Sequence, residues 1–233
     1  MSTPRVPQIY DAKRRDRRLE RACAHAKKPD AARFVWEEMA EDMTERLAFV
    51  RHSPTRPLLI GAVPERLAQT LGCDATRLDP EVPFPTSGHD FIGALGLFDA
   101  VNDLPGALIH IRNALEPRGL AIVSFVGGAS LPRLRAALIA AEPDRPAARM
   151  HPMVDHRAAP ALLQRAGWKD PVVDTLTLKV RYSSLDRLMQ DLRDQGLGSA
   201  LADRPPSLNR QAFARARHKF LRHAEAAGKV TET

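Results

Sequence analysis

The chain has 233 residues, 44% of them hydrophobic, enough for one large domain or a domain with a small appendage. It has no low-complexity tract that would argue for disorder, and no run approaches the ~18 apolar residues of a membrane span. Net charge is +7, carried largely by arginine, which fits an acidic partner, a nucleic acid, a membrane surface or a merely solvated basic face. Cys23 and Cys73 form no CxxC pair, so neither a zinc ribbon nor a disulfide framework is indicated, and a reducing compartment follows. The start of the chain lacks an apolar signal core, and Asp11, Asp16 and Glu20 suit a transit peptide poorly; a cytoplasmic protein is the expectation.

Residues 1–54 read as an N-terminal helical segment, and 55–233 as an α/β domain with helical additions. Within "YDAKRRDRRLERACAHAKK", eight Lys/Arg stand against two acids between Lys13 and Lys28. Arg14, Arg15 and Arg18 belong to this arm, whose charge suits an acidic partner. Leu19, Ala22 and Cys23 suit a helix laid over the domain equally well. No aromatic residue interleaves the cations to stack on bases, which speaks against nucleic acid. A second helix is expected after Pro29-Asp30, with Val35, Met39, Met43, Leu47 and Val50 at helical spacing, and "RHSPTRP" ends it.

From Leu58 strands and helices alternate. Strands are predicted at Leu58–Ile60, weakly in "DATRLD", and in "HDFIGALGLF" and "LAIVSFV". Helices are predicted over Glu65–Leu71, "LPGALIHIRNAL", "LPRLRAALIAAE" with Ser130 as its cap, and "AAPALLQRAG". "VVDTLTLKVRY" alternates apolar and polar residues, as a strand with one wet side does. Ser184 is placed to cap "LDRLMQDLRDQ", which Gly196 ends, and a last helix runs from about Asn209 to Ala227. Such alternation predicts a mostly parallel sheet flanked by helices.

Several of these stretches, in this order, resemble the class I S-adenosylmethionine-dependent methyltransferases. The branch is the one holding the malonyl-carrier-protein methyltransferases of biotin synthesis and the complex I assembly factors. The likeness lies in "VNDLPGALIHIRNALEPRG" (101–119), "GGASLPRLRAALIAAE" (127–142), the stretch 154–201 and "IYDAKRRDRRLERA" near the start. It implies a Rossmann-like fold. Family members finish with a seventh strand antiparallel to the sixth, and this chain stops at "AAGKVTET". The seventh strand is therefore expected to be missing, leaving "TLTLKVRY" with a free side for a protein partner or a second copy.

The resemblance also implies a cofactor site, with Gly61, Ala62, Asp79 and Leu97 at the positions that face S-adenosylmethionine. The family's first motif is a strand ending in an acid and then roughly G-x-G-x-G, whose glycines let the backbone approach the ligand. Here Leu59 stands for the acid, Val63 for the middle glycine and Glu65 for the last, while Pro64 removes an N–H. Asp79 is the only candidate for the acid that takes the ribose hydroxyls, and 71–91 is short for the usual second and third strands. Asp99 and Asn102, at the carboxyl end of "HDFIGALGLF", are candidates for substrate or partner contact, and Asp103 fits an N-cap.

Three readings stay open. One is a methyltransferase-like pseudo-enzyme without cofactor, a scaffold or partner-binding protein. Another is an active S-adenosylmethionine-dependent enzyme with an atypical loop. The third is an acidic-ligand or RNA-binding domain acting through 13–28. No catalytic base stands out, and His151, Asp155 and His156 lack a third ligand for a metal.

Overall fold

The computed structural model describes residues 7–144 and 146–233. Two helices, α1 (Ala12–Ala26) and α2 (Phe34–Phe49), precede the first strand. Then come β1 (Pro57–Gly61), α3 (Glu65–Leu71), β2 (Ala75–Thr76), β3 (His89–Leu95), a 3₁₀ turn at Phe98–Ala100, α4 (Leu104–Ala114) and β4 (Leu115–Ser124). The rest of the chain holds α5 (Pro132–Ala141), α6 (Ala159–Arg165), β5 (Val180–Tyr182), α7 (Leu185–Asp194), α8 (Arg210–Leu221) and β6 (Val230–Glu232).

The fold is α/β. Four parallel strands form one sheet in the order β2-β1-β3-β4. Alternate residues of β1 serve opposite faces, as a strand covered on both sides requires. Leu58 and Ile60 join Leu108 and Ile111 of α4 on one face; Leu59 meets Met43 and Leu47 of α2 and Leu67 of α3 on the other. Asp90 opens β3 by accepting from the Thr55 N–H and hydroxyl at 2.6 Å and the Arg56 N–H at 2.9 Å. Burial raises this carboxyl's pKa, but those three donors outweigh it and hold it below its ordinary value. The acid thus ties the entry to β1 to its neighbour in the sheet.

A second core lies beside the sheet, where Leu134 and Ala137 of α5, Leu188 of α7, and Ala216 and Phe220 of α8 pack with Tyr182 and Val230. Here the structure corrects the sequence reading. Of "TLTLKVRY", only Val180–Tyr182 is a strand; residues 175–179 run outside any ladder. The last residues do form a strand, and it pairs antiparallel with β5, Tyr182 opposite Val230. This ribbon stands apart from the parallel sheet, so among the described residues the sheet's edges are β2 and β4. Ser130 does not cap α5: Leu131 occupies the N-cap with φ 58°, and the Arg133 and Leu134 N–H groups donate to the carboxylate of Glu232 at 3.2 and 2.5 Å. The α2 stripe is also turned, burying Trp36, Ala40, Met43 and Leu47 and leaving Val50 exposed.

The C-terminal tetrapeptide therefore holds two elements at once. Deleting residues 230–233 is expected to cost about 2–4 kcal/mol, from the exposed Val230 site and the uncapped helix. Urea denaturation measures this, and an unchanged midpoint would mean that the ribbon contributes nothing.

Candidate functional site

In a parallel sheet the carboxyl ends of the strands are the place for a ligand. At that end β1 turns through Gly61 at φ +96°, and a Cβ there would overlap the Leu95 carbonyl of β3. The Ala62 N–H donates to the same carbonyl at 2.8 Å. Glycine is thus demanded by the contact between β1 and β3. Val63 packs on the core with Leu67 and Leu71, Pro64 starts α3, and Glu65 accepts from Gln69 one turn on at 3.1 Å. The matching turn after β3 has Gly96 at φ +63°, where a Cβ would strike the indole of Trp36. Trp36 lies over that turn, and its Nε1 donates to the Gln195 carbonyl at 3.0 Å.

The space above both turns is filled by α1. Asp11 caps the helix by accepting from the Arg14 N–H at 3.0 Å. From there Arg15, Arg18 and Ala22 face inward, although two of them are arginines. Arg15, 3% exposed, donates to Asp79 at 2.6 Å and to Glu81, and reaches the Ala100 carbonyl at 3.3 Å. Arg18 donates to Asp99 at 2.8 Å and to the Gly196 carbonyl at 2.7 Å. Further along, His25 meets Asp194 of α7 at 2.9 Å. The cavity that remains is ≈10 Å³, lined by Arg15, Arg18, Trp36, Ala62, Leu97 and Gln195 among others. That is room for about one water molecule.

The residues singled out from the sequence are brought together, but on each other. Ala62 and Leu97 are buried walls. Asp79 is engaged by Arg15 and caps the Glu81 N–H at 3.0 Å. Asp99, 4% exposed, takes Arg18 and lies 3.5 Å from His151 Nε2. Burial alone would raise its pKa; the charges of Arg18 and His151 and their hydrogen bonds hold it low instead. Asn102 accepts from the Ile9 and Tyr10 N–H groups at 2.8 and 2.9 Å, so it grips the segment leading into α1. Arg14 spans outward to the Leu201 carbonyl at 2.5 Å. The picture of a solvated basic arm is corrected for Arg15 and Arg18: each buried cation has a carboxylate, which is the condition for its burial.

Sequence reasoning missed Trp36, Glu81, Asp194 and Gln195, and weighed His151 only as a metal ligand. The signal for the first contacts was present: Arg15, Arg18, Leu19 and Ala22 follow i, i+3, i+4, i+7, an inward stripe with cations in it. Glu81 stands two residues from Asp79, on the same loop. Of the histidines beside Asp155, His151 is buried near Asp99 while His156 is exposed. Among the described residues no group of three potential ligands could hold a metal, and no helix is long and apolar enough to cross a membrane.

No family model matches the chain. It is similar to the mitochondrial arginine-hydroxylase NDUFAF5 of Rattus norvegicus, 32% identical over 135 residues, which is 57% of this chain and 39% of that protein. It is also similar to the malonyl-[acyl-carrier protein] O-methyltransferase 1 of Coxiella burnetii, 28% identical over 207 residues, covering 78% of this chain and 71% of the relative. The alignment with the rat protein thus spans well under two thirds of that relative's length. Among solved structures, the YcgJ protein of Bacillus subtilis aligns with 84% of this chain and 94% of its own, at 12% identity and a TM-score of 0.49.

The buried pairs generate a pH-dependent prediction. Arg18→Leu strands Asp99 in the interior and is expected to cost about 3–5 kcal/mol near neutral pH. Because Asp99 titrates lower folded than unfolded, its pairing stabilises above about pH 4 and is lost as pH falls through the folded value. The gap between variant and native protein should therefore narrow in acid. Urea midpoints across that range decide it, and a gap independent of pH would assign the loss to packing alone.

Proposed function

We propose that this chain, a homologue of the class I methyltransferases, has given up the cofactor and serves as a scaffold that binds a protein partner. The closed cleft carries this reading: ≈10 Å³ remains where a small-molecule site needs roughly 300–1,000 Å³. S-adenosylmethionine, the cofactor implied by the resemblance, does not fit the residues present. Its ribose acid is held by Arg15, the ground above the first turn is taken by α1, and the second turn lies under Trp36.

An active enzyme would have to expel α1 and Trp36 together, leaving Asp99 and Glu81 without Arg18 and Arg15. The hydroxylation and methyl transfer in the relatives' names belong to those proteins, and either would need this cleft open. Nucleic-acid binding through 13–28 is weakened as well, since Arg15 and Arg18 are spent inside.

Calorimetric titration of S-adenosylmethionine and S-adenosylhomocysteine into the folded protein tests the reading. No heat up to millimolar ligand is expected. Micromolar binding of either would overturn the pseudo-enzyme and make α1 a lid.

A further inference from the structure

Lys13, Arg17, Arg21, Lys27 and Lys28 keep α1 and its end basic on the outside, and a second basic surface lies in the last part of the chain. Helices α5 and α8, with Arg222 just beyond, carry Arg133, Arg135, Arg210, Arg215, Arg217, Lys219 and Arg222. They carry no acid, and these seven cations equal the formal charge of the whole chain. An open groove of ≈430 Å³ is lined by Ala140 of α5 and by Ala214, Arg215, His218, Lys219 and Arg222 of α8 and its end. Of the acids around these helices, Asp186 pairs with Arg217, Glu142 with Arg149, Glu232 accepts from the start of α5 and Glu225 from the Thr231 hydroxyl. Among the described residues Arg215, Lys219 and Arg222 have no carboxylate partner, and Arg215 only donates to the Ala141 carbonyl at 2.9 Å. His223 reports the field there: burial first, then Arg133, Lys219 and Arg222, push its pKa below the ordinary histidine value. Ile139 and Leu221, on the same two helices, are 57% and 44% exposed.

We infer that the groove between α5 and α8 docks an acidic amphipathic helix of a partner protein. Its carboxylates meet the arginine and lysine walls, and its small apolar face lies on Ala140 and Ala214. Shape and composition select this occupant over the other polyanions. A nucleic acid would want exposed rings to stack on, but Phe220 is buried and Phe213 lies beneath the Arg217 guanidinium at 4.7 Å. A membrane surface would want a broad apolar face to insert, and α8 already spends Ala212, Ala216 and Phe220 on the core. The inference supplies a docking surface for the scaffold reading without needing the cleft to be closed, so the calorimetric titration and the test below fail separately.

Fluorescence anisotropy is measured on the full chain with three labelled probes. These are an amphipathic helical peptide with Glu and Asp on one face and Leu and Ala on the other, a single-stranded RNA, and phosphatidylcholine vesicles containing phosphatidylserine. The peptide is expected to bind best, and more weakly as salt rises. Combined Arg215→Glu, Lys219→Glu and Arg222→Glu should weaken it by about tenfold or more, and Ala214→Trp, which fills the groove without touching charge, should weaken it too, both with the folded circular-dichroism spectrum retained at the assay temperature. Arg222→Glu alone, outside the helix, gives a smaller loss in the same direction. Absence of peptide binding, indifference to these variants, or groove-dependent binding of RNA or vesicles ahead of the peptide would each overturn the proposal.

Discussion

The structure hangs on two arginines buried at the carboxyl ends of a parallel sheet. Desolvating a guanidinium costs several kcal/mol, and only a well-placed carboxylate offsets it. Arg15 and Arg18 have Asp79, Glu81 and Asp99 within hydrogen-bonding reach, supplied by the loops after β2 and β3. These pairs fix more than they stabilise. A leucine pair at 15 and 18 could slide along the cleft; a fork of donors facing three carboxylates accepts one register. With that register set, Leu19 and Ala22 come over the second turn, and α1 meets the turn after α7 at Gly196, where a Cβ would strike the Arg18 carbonyl. The element that closes the cleft therefore also joins the sheet to the helical half of the molecule.

The turn after β1 follows from the same constraint. A glycine that lets a ligand approach and a glycine that lets another strand approach leave the same mark in a sequence. Gly61 is of the second kind, since the Leu95 carbonyl occupies the space of its missing side chain. Once backbone meets backbone there, nothing requires further glycines downstream. Val63 and Pro64 are free to serve the hydrophobic core and the start of α3. Gly96 tells the same story with an indole in place of a carbonyl.

The parallel sheet was largely legible because burial on both faces writes continuous apolar runs, as in Leu58–Ile60 and in Phe91–Leu95. Two helices announced themselves through caps that the structure uses, Asp103 for α4 and Ser184 for α7. Pairing was not legible. Period two in residues 175–182 says which side is apolar, not whether a neighbour offers a hydrogen-bonding edge, and only Val180–Tyr182 finds one. The site failed in a similar way. Arg15 and Arg18 were read by charge, which points outward, when their spacing with Leu19 and Ala22 pointed inward. Glu232 capping α5 joins positions 98 residues apart, and no local pattern carries such a contact.

A cleft shut by ion pairs differs from one shut by hydrophobic packing in what a ligand must do to enter. Displacing an apolar plug trades one buried surface for another. Displacing α1 would leave Asp99 and Glu81 facing the newcomer, so only a group carrying positive charge in the right places could replace it. The adenosyl cofactor's ribose would compete for Asp79 against a guanidinium already bonded to it, a neutral hydroxyl pair against a charge-assisted bond. The helix is moreover present at very high effective concentration, being part of the chain, and is anchored at both ends, by Asn102 at Tyr10 and by Asp194 at His25. On the scaffold reading proposed above, the cleft is held shut by attraction within the chain as well as by the space that α1 and Trp36 take, and the same arginines that look like an invitation to an acidic partner are the ones that keep this end of the sheet closed.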